Sequence, residues 1–295
     1  MSQPHRQEPS NGEVLTVADR IRRSQESLGP AELKLSRALL ANYPAAGLES
    51  TNALAHKVGI SAPTVLRFVS RIGFHKYRDF QDALRAEVQA RRASPLTLPA
   101  RITAESATSE LSVAVTDVAT TGIRHTFHSL PEHEFERAVS LLCDPNNRIV
   151  SFGGRFSHVL AKYLDLHLRL MRPQTAVHMP DPLTNPMLLT DIGRRSVCIV
   201  FDVRRYEKTT IELAHAAKLH GARIVLITDP WLSPAADVAD VVLPARVEAA
   251  GAFDSLVAPT ALVEALVFAV HARLGHSADQ RMRRIESAYG DLTID

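Results

Sequence analysis

The protein has 295 residues, of which 45% are hydrophobic and 22% are charged, and its formal net charge at pH 7 is +2. This length suits two ordinary domains rather than one, and the composition is that of a globular chain rather than a disordered or fibrous one. Two cysteines argue against a disulfide framework, and we expect no apolar run as long as a membrane span, so the prediction is a protein of the cytoplasm with no membrane partner.

The N-terminal third of the chain is predicted to be helical. Its first twelve residues are polar and have no apolar core like that of a signal peptide, so we expect them to be disordered. A helix is predicted over 31–42, and a second helix follows that Ser50 or Thr51 can cap and that Gly59 ends.

Two further helices complete this region. Ser61 is placed to cap the third helix, and Pro63 lies in its first turn, where a missing N–H has no cost. The fourth helix is predicted over 77–92. The two short helices on either side of Gly59 have helix-turn-helix spacing, in which the start of the second helix presents side chains to the major groove of DNA.

The charge of this region favours the same interpretation, although a helical bundle with a merely charged surface is the alternative. Between 33 and 92, ten Lys and Arg residues stand against four acids, a balance of +6 that leaves −4 for the rest of the chain. Arg67 is the candidate base reader, because Arg is the commonest specific reader of guanine. The predicted DNA contacts are Ser50, Thr51, Ser61, Thr64, Arg67, Arg71 and Lys76.

Three segments of this region, Ser50–Ala55, Val58–Phe68 and Ile72–Phe80, closely resemble the N-terminal domain of the RpiR family of bacterial transcriptional regulators. The resemblance implies a regulator that reads a double-stranded DNA operator. Symmetric operators need symmetric readers, so we expect a homodimer or a homotetramer. The same family carries a C-terminal sugar isomerase (SIS) domain, which the resemblance leads us to expect here.

A stretch with two prolines and no clear period separates the two halves of the chain. We therefore predict a DNA-binding domain over 13–92, a linker over 93–104 and a ligand-sensing domain over 105–290. The latter is expected to begin with helices over 105–130 and 131–143. Beyond 147, short apolar runs alternate with helical stretches, which indicates a doubly wound parallel sheet. Strands are predicted over 148–152, 175–178, 196–201, 223–228 and 238–243, and helices over 156–170, 208–220 and 256–274.

The predicted fold is thus an all-α helix-turn-helix bundle followed by an α/β doubly wound parallel sheet of the SIS type. In SIS domains a Gly-rich turn after the first strand and a Ser/Thr-rich loop after a later strand cradle a sugar phosphate at the carboxyl ends of the strands. This sequence departs from that pattern in both loops. Arg155 stands where the family usually has a second glycine, and Asp202, Arg204 and Glu207 stand where it has hydroxyl groups.

These exchanges predict a small anionic effector, a sugar phosphate or a carboxylate, held by guanidinium groups. Asp202 and Glu207 are expected to offset the positive charge only in part, so an anion would stabilise the pocket. The alternative is that these charges form surface salt bridges with no ligand. The predicted ligand contacts are Gly153, Arg155, Ser157, Asp202, Arg204, Arg205, Glu207 and Thr210.

Other candidate sites carry weaker signals. His125, His128 and His133 lie near one another in sequence, but no Cys or carboxylate framework accompanies them, so neither a metal nor a cofactor is predicted. Trp231 could cover the pocket or pack at an interface, and Ser255 could simply cap a helix. The alternative function is a sugar-phosphate isomerase with an appended helical domain. That reaction needs a general base, and no carboxylate–histidine pair is clear in either loop.

Overall fold

A computed structural model of the protein describes residues 15–24, 27–41, 43–92 and 108–290. The chain divides into two compact units, and apart from a short stretch at 41–43 the first ends at Glu87 and the second begins at Val88. The first twelve residues and the linker predicted over 93–104 lie outside the described ranges.

The first unit is a bundle of short helices around one apolar core. Phe68 and Phe80 are fully buried in it, together with Leu54 and Leu84 from neighbouring helices. Two of its helices, α1 and α3, are not predicted by the sequence patterns. The elements are α1 (Val17–Ser24), α2 (Pro30–Ala41), α3 (Ala45–Leu48), α4 (Thr51–Val58), α5 (Ala62–Arg71) and α6 (Tyr77–Arg92).

The second unit is a five-stranded parallel sheet with helices on both faces, as predicted. Its strand order is β2-β1-β3-β4-β5, so the order reverses between β1 and β3. Its elements are α7 (Thr108–Ser129), α8 (Glu132–Cys143), β1 (Arg148–Gly153), α9 (His158–Met171), β2 (Thr175–His178), α10 (Asn185–Asp191), β3 (Ser196–Phe201), α11 (Lys208–Leu219), β4 (Arg223–Thr228), β5 (Val241–Pro244), α12 (Val257–Leu274) and α13 (His276–Gly290).

The central strand β3 shows why the sheet is covered twice. Val197, Ile199 and Phe201 pack into one apolar core with α8, α9, α12 and α13, while Cys198 and Val200 pack into a second core with α11. All six residues of β3 are buried. Both cysteines are free, as expected, and burial raises the pKa of the Cys198 thiol to about 12.

The sequence patterns miss α10 and α13 and misplace the start of the last strand. Val238, predicted as the first residue of the last strand, is instead the last residue of a 3-10 helix, Pro234–Val238. Ser233 caps the first turn of that helix. Asp240 then accepts hydrogen bonds from Lys218 and from the backbone N–H of Ile224, so regular pairing starts only at Val241.

The prediction that no apolar run reaches the length of a membrane span is wrong for α12. By length and composition alone this helix could cross a membrane. In the structure, however, Leu262, Val263, Leu266 and Val270 from one face of α12 are fully buried in the core of the α/β unit. The buried apolar face of α12 therefore serves packing against α7, α8 and α9.

Candidate functional site

The helix-turn-helix geometry is built by two caps and one glycine. Ser50 Oγ accepts a hydrogen bond from the N–H of Ala53 at 3.2 Å and so begins α4. Gly59 ends α4 with φ at 70°, in the left-handed region where a side chain would strain the backbone. Ser61 then caps α5, accepting from the N–H of Thr64 at 3.4 Å, with proline in the first turn as predicted.

Three polar side chains at the start of α5 form a hydrogen-bonded series. Ser61 Oγ and Thr64 Oγ1 lie 2.8 Å apart, and Arg67 Nη2 donates to Thr64 Oγ1 at 3.1 Å. All three are predicted DNA contacts, and Ser61 and Arg67 are exposed, but Thr64 is buried. Thr64 positions the other two side chains and presents little surface of its own.

The remaining predicted DNA contacts differ in their solvent exposure and in their hydrogen bonds within the unit. Arg71 is bound within the unit, since its Nη1 donates to the carbonyl of Ser27 at 2.7 Å and lies 3.1 Å from the Glu32 carboxylate. Lys76 is exposed, while Thr51 is partly buried. Arg71 thus joins α5 to the chain around the start of α2, which is a structural role the sequence did not suggest.

A cavity of about 160 Å³ opens where the strand order of the sheet reverses, at the carboxyl ends of β1 and β3. Gly153 at the end of β1 pairs with Phe201 at the end of β3, so the two following loops are side by side. Ligands bind at this position in open α/β sheets. The lining residues are Gly154, Arg155, Phe156, Ser157, Asp202, Val203, Arg204, Arg205, Glu207, Phe253, Asp254 and Leu256.

The first loop is held to the second by one carboxylate. Glu207 Oε1 accepts from the backbone N–H of Arg155 at 2.9 Å and from Arg155 Nε at 3.3 Å. A Cβ at Gly154 would lie 2.7 Å from the Glu207 carboxyl carbon, so a side chain here would displace the Glu207 carboxylate. Most of the Arg155 side chain remains exposed at the mouth of the cavity.

The second loop contains two arginines that share Asp254. Arg204 donates to Asp254 Oδ1 through Nε at 2.8 Å and also through Nη2, and Arg205 Nη2 donates to Oδ2 at 3.2 Å. The Arg204 guanidinium also lies 5.1 Å from the centre of the Trp231 ring, within the range of a cation–π contact. The Arg204 side chain is only 7% exposed and that of Asp254 10% exposed.

Asp202 is a carboxyl group of the site whose pKa lies near neutral pH. Burial, with smaller contributions from the nearby carboxylates of Asp229 and Glu207, raises its pKa to about 7. Its carboxylate accepts from the hydroxyl of Ser233 and, at 3.1 Å, from the N–H of Glu207. These bonds favour the ionised form but do not outweigh burial.

Three of the predicted ligand contacts are engaged in the packing or hydrogen bonding of the fold. Ser157 Oγ donates to the carbonyl of Phe201 at 2.8 Å and is almost fully buried. Gly153, the last residue of β1, is buried against β3. A Cβ on Gly153 would lie 2.8 Å from Phe201 O and 2.9 Å from Ser157 Oγ. Thr210 is completely buried on the inner face of α11, with Leu213 and Ala214, and does not line the cavity.

The sequence patterns miss the third wall of the cavity, which comes from the segment after β5. Phe253, Asp254 and Leu256 lie there, fifty residues along the chain from the arginines they face. That segment follows a predicted parallel strand, whose carboxyl end lies at the same end of the sheet as those of β1 and β3. This position in the sequence could have identified the segment as part of the site. Asp254 also corrects the expected charge balance, because Glu207 and Asp254 together pair with all three arginines.

Replacing Gly153 with Ala should lower the free energy of unfolding of the α/β unit by about 1 to 3 kcal/mol, as overpacking does in well-packed sites. The new methyl would press on the backbone carbonyl of Phe201, which can move only if β1 and β3 separate. Urea unfolding measures the change. Gly193→Ala is the matched control, since a Cβ there meets nothing within 4 Å, and an equal loss in both variants would contradict the prediction.

One of the histidines considered as metal ligands has a carboxylate beside it. His133 Nε2 lies 3.2 Å from the carboxylate of its neighbour Glu134. In the part of the chain that the structure describes, no three His, Cys, Asp or Glu side chains converge on one point where a metal ion would fit.

Both halves of the chain match known protein families. Residues 15–91 match the helix-turn-helix domain of the rpiR family, and residues 141–269 match the SIS domain. No curated protein sequence matches the chain.

Two solved structures illustrate the similarity in fold. The sugar isomerase domain of an RpiR transcription factor from Sphaerobacter thermophilus is 25% identical, with a TM-score of 0.58, over 60% of this chain and 99% of that one. The NanR protein of Vibrio vulnificus, solved in complex with ManNAc-6P, is 18% identical, with a TM-score of 0.53, over 95% of this chain and 100% of that one. At 18% identity the second likeness is one of fold.

Proposed function

Because the chain belongs to the RpiR family, with the family's helix-turn-helix domain followed by a SIS domain, we propose that it is a transcriptional regulator whose operator binding is controlled by a small anionic metabolite, either a sugar phosphate or a carboxylate. The DNA reader is the start of α5, and the effector binds at the carboxyl ends of β1 and β3. The protein acts in the cytoplasm as a homodimer or homotetramer, since symmetric operators need paired readers. The domain limits at 92 and 105 are part of the same proposal.

The observation that carries this proposal is the arginine-lined cavity at the switch point of the sheet, in a chain that also has a helix-turn-helix unit. The side chains of Arg155 and Arg205 are partly exposed, and their guanidinium groups suit the planar oxygens of an anion. A thermal-shift screen of phosphosugars and carboxylates tests for the effector, because a ligand of the native state raises the melting temperature. The effector found must then change operator affinity in an anisotropy titration, and an inert one would overturn the proposal.

An isomerase is the other reaction that a SIS fold could support, and it would need a general base near neutral pH. Asp202 has such a pKa, about 7, but only 2% of the residue is exposed. Its carboxylate is engaged with Ser233 and with the N–H of Glu207. We therefore assign Asp202 to the architecture of the site and favour the regulator.

Replacing Arg67 with Ala should weaken specific operator binding by about 1 to 3 kcal/mol and relax the base preference at one position. Arg67 is exposed, and its bond to Thr64 fixes the side chain near the start of α5. The measurement is an anisotropy titration against duplexes selected from a random pool.

The matched control for Arg67 is Arg85→Ala. Arg85 is an exposed arginine of the same unit, on α6, which pairs with Asp82 at 2.6 Å. Loss of this charge should leave base preference unchanged. If both variants lose the same affinity with no change in preference, Arg67 contributes only general charge and is not the base reader.

A further inference from the structure

The arginine pair of the cavity already holds a carboxylate, that of Asp254. Each oxygen of Asp254 serves a different arginine, Oδ1 binding Arg204 and Oδ2 binding Arg205. The Arg204 guanidinium also contacts the ring of Trp231, so it has a second partner besides Asp254. The pair is therefore a preformed receptor for a planar group with two oxygens.

The backbone donors of the two loops are also satisfied by carboxylates of the chain. The N–H of Arg155 donates to Glu207 at 2.9 Å, and the N–H of Glu207 donates to Asp202 at 3.1 Å. A phosphate dianion entering here would meet Asp202, Glu207 and Asp254 and would find these two amides already bonded. A carboxylate that replaces Asp254 can use the hydrogen-bond donors that Arg204 and Arg205 now give to Asp254. The negative charge paired with the two arginines also stays the same.

We propose that Asp254 occupies the place of the effector's own anionic group, and that the effector is a carboxylate which takes Arg204 and Arg205 over from it. This inference rests on the proposed function and specifies the ligand class of that same site. Phe156 and Phe253 border the cavity with 73% and 72% of their surface exposed. They offer an apolar surface to the remainder of the ligand, so a small carboxylate with an apolar or ring-shaped body fits best.

The exchange at Asp254 would also be transmitted to α7. Residues 248–251, a few positions before Asp254, line a second cavity together with Leu111, Val115 and Val118 of α7. The base of this segment is closed by a hydrogen bond from the N–H of Ser255 to the carbonyl of Val247, at 2.9 Å. Release of Asp254 loosens residues 248–255 against α7, which is the first described element after the helix-turn-helix unit in chain order.

Benzoate, with inorganic phosphate as the comparison anion, tests this exchange in the full-length protein. Hydrogen exchange of residues 248–255 should speed up when benzoate binds the parent protein, because the segment loses its anchor. In Asp254→Asn the exchange should already be fast without benzoate. That variant should also bind benzoate roughly 10- to 100-fold more tightly than the parent, as expected when a competing charged hydrogen bond is removed. Asp191→Asn, which removes an exposed partner of Arg148, is the matched control and should behave like the parent.

Each result decides the inference. Binding of benzoate to Asp254→Asn alone also supports it, since Asp254 then holds the site against the probe. Equal or weaker binding in Asp254→Asn, binding to the parent that leaves 248–255 unchanged, or a preference for phosphate would overturn it. Should the variant not fold, the parent alone decides, and only faster exchange of the segment with benzoate supports the inference. Loss of the broader proposal would be seen separately, as failure of the parent to bind any selected DNA duplex.

Discussion

Replacing Phe68 with Ala should lower the free energy of unfolding of the helical unit by about 3 to 5 kcal/mol, as truncating buried aromatic side chains does. Phe68 lies on the inner face of α5 and is completely buried. A unit of this size has a total stability of roughly 5 to 10 kcal/mol, so the substitution should leave a measurable fraction unfolded. Operator binding should fall with it, because α5 carries the proposed DNA reader.

Leu66→Ala is the matched control for Phe68, because Leu66 lies on the same helix but is 48% exposed. Urea unfolding followed by circular dichroism should show an earlier first transition for Phe68→Ala and little change for Leu66→Ala. The transition of the α/β unit should stay in place, because that unit has its own cores. A common shift of both transitions would show that the two units do not unfold separately.

Asp202→Asn should make the protein more stable than the parent at pH 8, by about 2 to 4 kcal/mol. The pKa of Asp202 is about 7 in the folded chain and near its ordinary value in the unfolded chain. Between these two values the folded state holds a proton that the unfolded state has lost. The stability that this proton provides is complete at about pH 4 and below, and it disappears as the pH rises through 7.

The variant separates Asp202 from other titrating groups. Asparagine has the shape of the protonated acid and can still accept from the N–H of Glu207, but it never becomes charged beside Asp229 and Glu207. Urea unfolding at pH 5 and pH 8 should therefore give a smaller decrease for Asp202→Asn than for the parent. If the two proteins lose the same free energy of unfolding over this range, Asp202 does not titrate as proposed.

Buried parallel strands are the part of the fold that sequence predicts well. The strands Ser196–Phe201 and Arg223–Thr228 begin and end as predicted, because each pairs with a neighbour on both sides. Thr175–His178 also has its predicted bounds, although it is a half-buried edge strand. The last strand fails because Val238 belongs to a 3-10 helix whose start depends on Ser233. Apolar periodicity does not distinguish that short helix from the beginning of a strand.

The sequence predicts which strand ends form the site but does not predict the ion-pair partners of its side chains. Arg155 and Arg204 follow predicted strands, so the rule for parallel sheets brings them to one edge. Their ion-pair partners are set by the tertiary fold, and the contact between Arg204 and Asp254 joins residues fifty positions apart. Thr210 follows the family pattern in sequence, yet the phase of α11 turns it into the core.

The contact between Trp231 and Arg204 gives the molecule an optical signal of its own. The chain has a single tryptophan, so its tryptophan emission comes from one indole, 5.1 Å from the guanidinium at the proposed effector cavity. Exchange of the anion that is paired with Arg204 changes the electrostatic environment of the Trp231 indole. Tryptophan fluorescence of the unlabelled protein, excited selectively, should therefore report occupancy of the cavity in real time, without a contribution from the helix-turn-helix unit, which contains no tryptophan.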